Sequence, residues 1–311
     1  MALYAFDGTG NEDKADDAKH GFDSNVLHFF QAYEDQIKND DPKKDRGSLY
    51  LKGIGKAAHT FVGDKVAEAF GFGGHHRVRQ MLERLQHNFE TGDRVVDVVG
   101  FSRGAALAIS FANEIARTLP MVSIRFIGVW DIVGEFGVAG EHLNAGHNLN
   151  FPPNVQHCYH AMALDERRAF FQLTRLTGSG PNEAGRLVEV WFRGVHSDVG
   201  GGNGNFGLNW IALNWMYENA RRHGVPVAQA SVDENLKHNT RLQDISEHDV
   251  ALGPDRHIRS GDFLHTSVKL DSTDKGRQHN DPKIPLARID DAGLVTPAKP
   301  LTPELSRGAT S

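Results

Sequence analysis

The sequence predicts an α/β fold: a mostly parallel, doubly wound sheet with helices on both faces. Three observations point there. Short apolar runs alternate with stretches of helical periodicity. Several of those runs close directly on a polar residue, as Ala2–Phe6 does on Asp7, Ile124–Trp130 on Asp131 and Leu187–Val195 on His196. The edge beyond the strand ends is where open parallel sheets bind ligands, so the unusual polar residues collect in the right place.

Taken in order, Ala2–Phe6 reads as a strand ending at Asp7-Gly8-Thr9-Gly10, and Asn25–Ile37 as a helix. Leu49–Ile54 is a short strand with Gly53 and Gly55 at its end. Val78, Met81, Leu82 and Leu85 lie at helical spacing within His76–Phe89, which leads into the strand Arg94–Val99. Small residues fill a helix over Gly104–Leu119, and the strand Ile124–Trp130 follows. Val155–Leu173 is expected to be helical, Leu187–Val195 a strand, and Trp210–Arg222 helical again. Residues 1–273 form a single domain on this reading. The segment Glu12–His20 and a tail over 274–311, rich in Pro, Asp, Lys, Thr and Ser, read as weakly structured. An insert at 135–154 with Phe136, Leu143, Leu149 and Phe151 is either a lid over an acyl chain or a surface loop with buried aromatics.

Composition narrows the function. Of 311 residues 39% are hydrophobic, enough for a sizeable core. A net charge of −6 without a long Lys/Arg run argues against a nucleic-acid partner. The single cysteine, Cys158, rules out an intrachain disulfide and is expected in the core. The N-terminus has no basic n-region or apolar h-region, and nowhere do about 18 apolar residues run together. A cytoplasmic product without a Sec-type signal or membrane span is therefore expected, with export by another machine left open.

Gly100-Phe101-Ser102-Arg103-Gly104 is the motif that carries chemistry. Gly-x-Ser-x-Gly alone is a weak signal, but here Val95–Val99 before it is strand-like and Ala105–Ile109 after it favours a helix. Strand, sharp turn and helix make a nucleophile elbow: the turn exposes Ser102 Oγ at a helix N-terminus, where amides stabilise an oxyanion. A capping serine in a glycine-rich turn is the alternative. As nucleophile, Ser102 needs a histidine base and an acid to orient it. Among 17 histidines, His196 with Asp131 gives the Ser, Asp, His chain order of α/β-hydrolases. Asp198 with His265 gives the same order and remains an alternative. The first pair is preferred, and under it Asp198 would stabilise the glycine turn that follows. Arg103, just after the serine, and the Gly8-Thr9 turn suit an oxyanion hole. Asp7 and Phe101 are candidate substrate-binding residues, Asp7 alternatively a turn or cap carboxylate.

Eight motifs in order carry a resemblance: Phe6-Asp7-Gly8-Thr9 with Asn11, Asn25-Val26, Gly53-Ile54-Gly55, Gly100–Ala105, Val129-Trp130-Asp131, His160–Arg168, Trp191–Gly202 and Leu264–Val268. Over roughly residues 2–270 the chain resembles an uncharacterised α/β-hydrolase domain family that includes type VI secretion lipase effectors of the first class. The resemblance implies a Ser-Asp-His phospholipase cutting acyl esters of bacterial glycerophospholipids, with the three roles falling on Ser102, Asp131 and His196. It also implies a lipid or small ester substrate, contact with a membrane surface, a secretion-apparatus component and a cognate immunity protein as partners, and delivery into a target cell. No cofactor is expected. From the sequence alone, neither the long membrane-insertion domain nor the secretion module of the larger effectors is expected. Two other classes remain in view. One is a metal-dependent hydrolase using Asp7, Asp131, His196 and Asp198, although no tight ligand spacing such as His-Glu-x-x-His supports it. The other is a non-catalytic binding module that kept the fold.

Overall fold

The computed structural model describes residues 1–8, 23–35, 46–53, 64–134, 147–169, 171–178, 185–204, 207–238, 245, 253–270 and 280–298. Its first half runs β1 (Leu3–Phe6), α1 (Asn25–Ala32), β2 (Leu49–Leu51), α2 (Asp64–Glu90), β3 (Val95–Phe101), α3 (Ser102–Thr118) and β4 (Ser123–Trp130). Then come β5 (Val155–Ala163), β6 (Leu187–Phe192), α4 (His196–Gly200), α5 (Leu208–Arg222), α6 (Gln229–His238), β7 (Phe263–His265), β8 (Ala287–Ile289) and β9 (Val295–Thr296). The strands join one sheet in the order β2-β1-β3-β4-β5-β6-β7-β8-β9, parallel throughout except for the last pair. The fold is α/β, with the mostly parallel sheet the sequence predicted.

Strand alternation divides the core into two faces. Leu3 and Ala5 of β1, Val99 and Phe101 of β3, and Phe126 and Trp130 of β4 pack with Phe29 of α1 and Trp215 of α5. Tyr4 and Phe6, Val96 and Val98, and Ile127 and Val129 point the other way, onto Met81 and Leu85 of α2 and Phe111 and Ile115 of α3. The register shifts between Val96 and Asp97, where β4 inserts Arg125, and that residue then reaches Asp97 with Nη2 at 2.5 Å from Oδ2. Helix α1 starts because Ser24 caps it, its Oγ accepting from Leu27 N at 3.2 Å.

Two sequence expectations fail here for physical reasons. Val155–Leu173 is not a helix: Val155–Ala163 is the strand β5, and the described residues from there to Leu173 hold no helix. Its apolar residues Val155, Cys158, Tyr159, Met162 and Ala163 happen to fall at helical spacing. Because β5 is covered on both faces, with Cys158 on one and Tyr159 on the other, it needs no polar alternation to mark it as a strand. The expected weakly structured tail in turn contributes β8 and β9 to the sheet, so the domain continues past residue 273. Asp281 there pairs with Arg193 Nη2 at 2.7 Å. Residues 135–146 of the expected lid, and Glu12–His20, lie outside the described residues; in the rest of the insert His147, Phe151 and Pro152 are buried, Phe151 in the core.

Gly104 is what lets β1 press against the start of α3: a Cβ there would stand 2.4 Å from Phe6 O and 2.5 Å from Asp7 O. Both neighbours are backbone and cannot swing aside. Gly104→Ala should therefore destabilise the protein by about 1–3 kcal/mol or more, read as a lower urea midpoint. A midpoint equal to wild type would show that this contact is not tight.

Candidate active site

Strand register builds the site. Phe6 pairs with Gly100, Phe101 with Trp130, Trp130 with Ala161, and Ala163 with Phe192. The residues just beyond these partners, Asp7, Ser102, Asp131, Leu164 and Arg193, therefore emerge together at the carboxyl edge of the sheet. Ser102 follows Phe101 with no loop between strand and helix, at φ 59. Asp131 stands at φ 43 on the neighbouring strand end. These are the described non-glycine residues in the left-handed region, a conformation that carries a local energetic penalty and tends to occur at functional positions. Val133 N donates to Ser102 O at 3.2 Å, tying the two turns together.

Asp131 is fully buried, yet every side of its carboxylate is engaged. Oδ2 lies 2.6 Å from His196 Nδ1. Oδ1 accepts from Ala163 N at 2.8 Å. Arg256 closes the remaining side with a fork, Nη1 to Oδ1 at 2.5 Å and Nη2 to Oδ2 at 3.0 Å. The same guanidinium donates to Ala163 O at 2.7 Å and Phe171 O at 2.8 Å. Burial alone would raise the Asp131 carboxyl, but Arg256 and His196 outweigh it and hold it well below the usual carboxylate range.

With Asp131 ionised, His196 Nδ1 carries the proton of their hydrogen bond. Its backbone N–H donates to Glu166 Oε2 at 3.1 Å, and its ring lies between Phe101, 4.5 Å away between centroids, and Phe171, edge-on at 4.8 Å. Burial lowers the imidazole below its ordinary value, against the opposing influence of Asp131 and Glu166. Glu166 is itself held down to about 2: desolvation would raise it, but a two-pronged contact from Arg168, Nε at 3.0 Å and Nη2 at 2.7 Å, prevails. Beneath Asp131, Ile132 N donates to His160 Nε2 at 3.2 Å, while His160 Nδ1 meets Glu189 Oε1 at 2.9 Å. This buried pair props the turn that presents Asp131.

The other sequence candidates sit differently. Asp198 and His265 do not meet. Asp198 Oδ2 accepts from Val195 N at 3.0 Å and Oδ1 from Asn203 Nδ2 at 2.8 Å, which caps α4. His265 Nδ1 lies 2.8 Å from Ser267 Oγ, and its ring stacks on Phe192. Asp7, a substrate-binding candidate, is buried and accepts from Ser24 Oγ at 2.6 Å and Tyr50 Oη at 2.5 Å, so it braces the turn after β1. Gly8 N, an oxyanion-hole candidate, donates to Asp7 Oδ1 at 2.6 Å, which directs it away from that role here. Thr9 lies outside the described residues. Phe101 backs the His196 ring and fills the space left by Gly200, where a Cβ would come within 2.0 Å of it. Arg103 stands in the first turn of α3, where backbone N–H groups have no acceptor within the helix itself, and burial lowers its guanidinium to about 10. Asp7, Asp131, His196 and Asp198 do not converge, and no group of three metal-ligating side chains is found among the described residues. Sequence reasoning missed Arg256 entirely. It quoted Glu166 and His160 inside a motif without assigning them a role.

With this geometry in hand, the family described as "T6SS, Phospholipase effector Tle1-like, catalytic domain" matches residues 3–118 and 114–219. The chain belongs to this family. No curated protein matches it. Among solved structures, this Tle1-like domain is similar to an uncharacterized protein from Pseudomonas aeruginosa, with TM-score 0.53 and 21% identity over 79% of this chain and 48% of that one. It also aligns with the Tle1 effector bound to the VgrG spike from the type 6 secretion system, with TM-score 0.42 and 22% identity over 65% of this chain and 51% of that one. The first likeness is one of fold. The chain spans about half the length of either structure. Among the described residues no helix of the Tle1-like domain is long and apolar enough to cross a membrane.

The Arg256 fork gives a direct test of the site's electrostatics. Arg256→Met leaves a buried charge with fewer partners and should cost about 3–5 kcal/mol in urea unfolding. Adding Asp131→Asn should recover part of that loss, because the stranded charge is gone. Strictly additive effects would show that the two groups are not coupled.

Proposed function

We propose that the protein is a serine esterase that cleaves acyl esters of glycerophospholipids. The observation that carries this reading is the 2.6 Å contact between His196 and Asp131, on the ledge where Ser102 turns out of β3 at φ 59. Membership of the Tle1-like catalytic family supports the phospholipid substrate and delivery by type VI secretion. A secretion-apparatus component and a cognate immunity protein are then its protein partners, and a membrane surface is where its substrate lies.

In the reaction, Ser102 Oγ attacks the ester carbonyl carbon and its proton passes to His196 Nε2, the ring nitrogen left over when Nδ1 faces Asp131. The N–H of Arg103 supports the oxyanion. Collapse breaks the bond to the glycerol oxygen, which leaves with the proton held by His196. Water then repeats the sequence against the acyl-enzyme and frees the fatty acid. Asp131 fixes the imidazole tautomer throughout, and Arg256 fixes Asp131.

A fluorophosphonate probe should label Ser102, with or without a chelator; absence of labelling on folded protein would overturn the reading. Asp131→Asn should lower kcat by about 10⁴ and His196→Ala by a similar amount, while Asp198→Asn and His265→Ala should leave most activity in whatever protein stays folded. The reverse ranking would move the triad to the second pair.

The pH profile gives an independent check. A base must be neutral, and His196 is shifted down by burial, so it stays neutral below the ordinary histidine value of about 6.5. The acid limb of kcat/KM should accordingly fall below that pH. A limb above it would show that Asp131 and Glu166 outweigh burial at His196.

A further inference from the structure

Behind Asp131 and His196 lies a cavity of about 350 Å³ whose lining is rich in arginine: Arg167, Arg168, Arg175, Arg256 and Arg259, with the carboxylates Glu166 and Asp255. Four of these arginines are held from behind or beside. Arg168 is gripped by Glu166, Arg175 by Glu189 and Asp262, Arg256 by Asp131, and Arg167 meets Asp255 at 3.1 Å. The carboxylates of Glu166, Glu189, Asp262 and Asp131 are nearly or fully buried, so they fix the orientation of the guanidinium groups. Arg259 differs. Its backbone N–H donates to Asp262 Oδ2 at 2.9 Å, but its exposed guanidinium makes no ion pair with any described residue.

Two features join this cavity to the proposed chemistry. Phe171 lines it and also packs edge-on against the His196 ring at 4.8 Å, so one aromatic ring separates cavity from base. Arg256 lines it while holding Asp131. Pre-oriented guanidinium groups are matched to the paired oxygens of a phosphate, and the volume falls in the range of small-ligand sites. In a glycerophospholipid the phosphate is only a glycerol unit away from the scissile ester.

We propose that this cavity binds a phosphate, that of the substrate's headgroup, with Arg259 as its uncommitted ligand, so that the site selects phosphorylated acylglycerols over neutral ones. This rests on the esterase reading above.

The test measures kcat/KM of the full chain on dioleoyl phosphatidylglycerol and on dioleoylglycerol in the same mixed micelles, for wild type, Arg259→Ala and Arg259→Lys. Wild type should favour the phospholipid. Arg259→Ala should lower the ratio of the two values about tenfold or more, and Arg259→Lys should restore much of it. Inorganic phosphate and glycerol 3-phosphate should inhibit wild type competitively, and more weakly in Arg259→Ala. Equal cleavage of the two lipids, or a ratio unmoved by Arg259→Ala, overturns the proposal while leaving the esterase intact. Inhibition by phosphate with an unmoved ratio also overturns it, since the site would then bind free phosphate and not the headgroup. A chain that cleaves neither lipid and takes no fluorophosphonate fails the esterase reading instead. Calorimetric titration with inorganic phosphate then decides whether the cavity binds the anion: heat lost in Arg259→Ala supports it, and no heat with wild type refutes it.

Discussion

A fully buried Asp131 carboxylate holds the ledge together. Moving a carboxylate out of water costs several kcal/mol, and that penalty is offset only if its lone pairs are all met. Here the donors come from separate parts of the chain: Ala163 at the end of β5, His196 at the start of α4, and Arg256 on the segment before β7. Arg256 in turn binds Ala163 O and Phe171 O, so the loop after β5 is fixed by the same pair of charges. Asn280 then joins the far side, donating from Nδ2 to Arg256 O at 3.0 Å and to Leu164 O at 3.1 Å. Segments more than a hundred residues apart are placed by one ion pair.

That dependence explains what the sequence could and could not reveal. The strands before Asp7, Ser102, Asp131 and His196 were legible because each is a short apolar run closing on a polar residue, and a parallel sheet brings such endings to one edge. The Asp131 and His196 pairing was legible because chain order and edge position agree. Arg256 was not: it lies in a Gly-Pro-Asp-Arg-His stretch with no periodicity, 125 residues from its carboxylate, and nothing local distinguishes an arginine that turns inward. Strand β5 was misread since burial on both faces removes the alternation that separates strand from helix. The polar tail hid β8 because three residues suffice to pair with β7, too few to leave a pattern. The Gly8 N–H is taken by the side chain of the preceding Asp7, a contact that residue type alone does not predict.

Ser102 and Asp131 adopt left-handed backbone on adjacent strands, at about 1–3 kcal/mol each. The packing around them over-determines both positions. Gly104 admits the β1 backbone beneath Ser102, and Gly200 admits the Phe101 ring beside His196. Phe101 therefore links the Ser102 turn and His196: it is the last residue of β3, its ring supports His196, and its own place is secured by a glycine of α4. A larger residue at either glycine would act on Ser102 or His196 through backbone and ring.

The Arg256 fork also sets the character of the proposed base. An acid facing only a histidine lends its full negative charge to the imidazolium that forms during attack. Asp131 shares that charge with a guanidinium at 2.5 and 3.0 Å, so less of it stabilises the protonated ring. Glu166 adds negative potential through its bond to the His196 N–H, but Arg168 moderates it in the same way. Both acids near the ring are therefore better at holding it in place than at raising its affinity for a proton. Burial then decides the balance: it holds the histidine below its ordinary value despite both acids, so the proposed base stays neutral in mildly acidic surroundings at the expense of some driving force for proton abstraction.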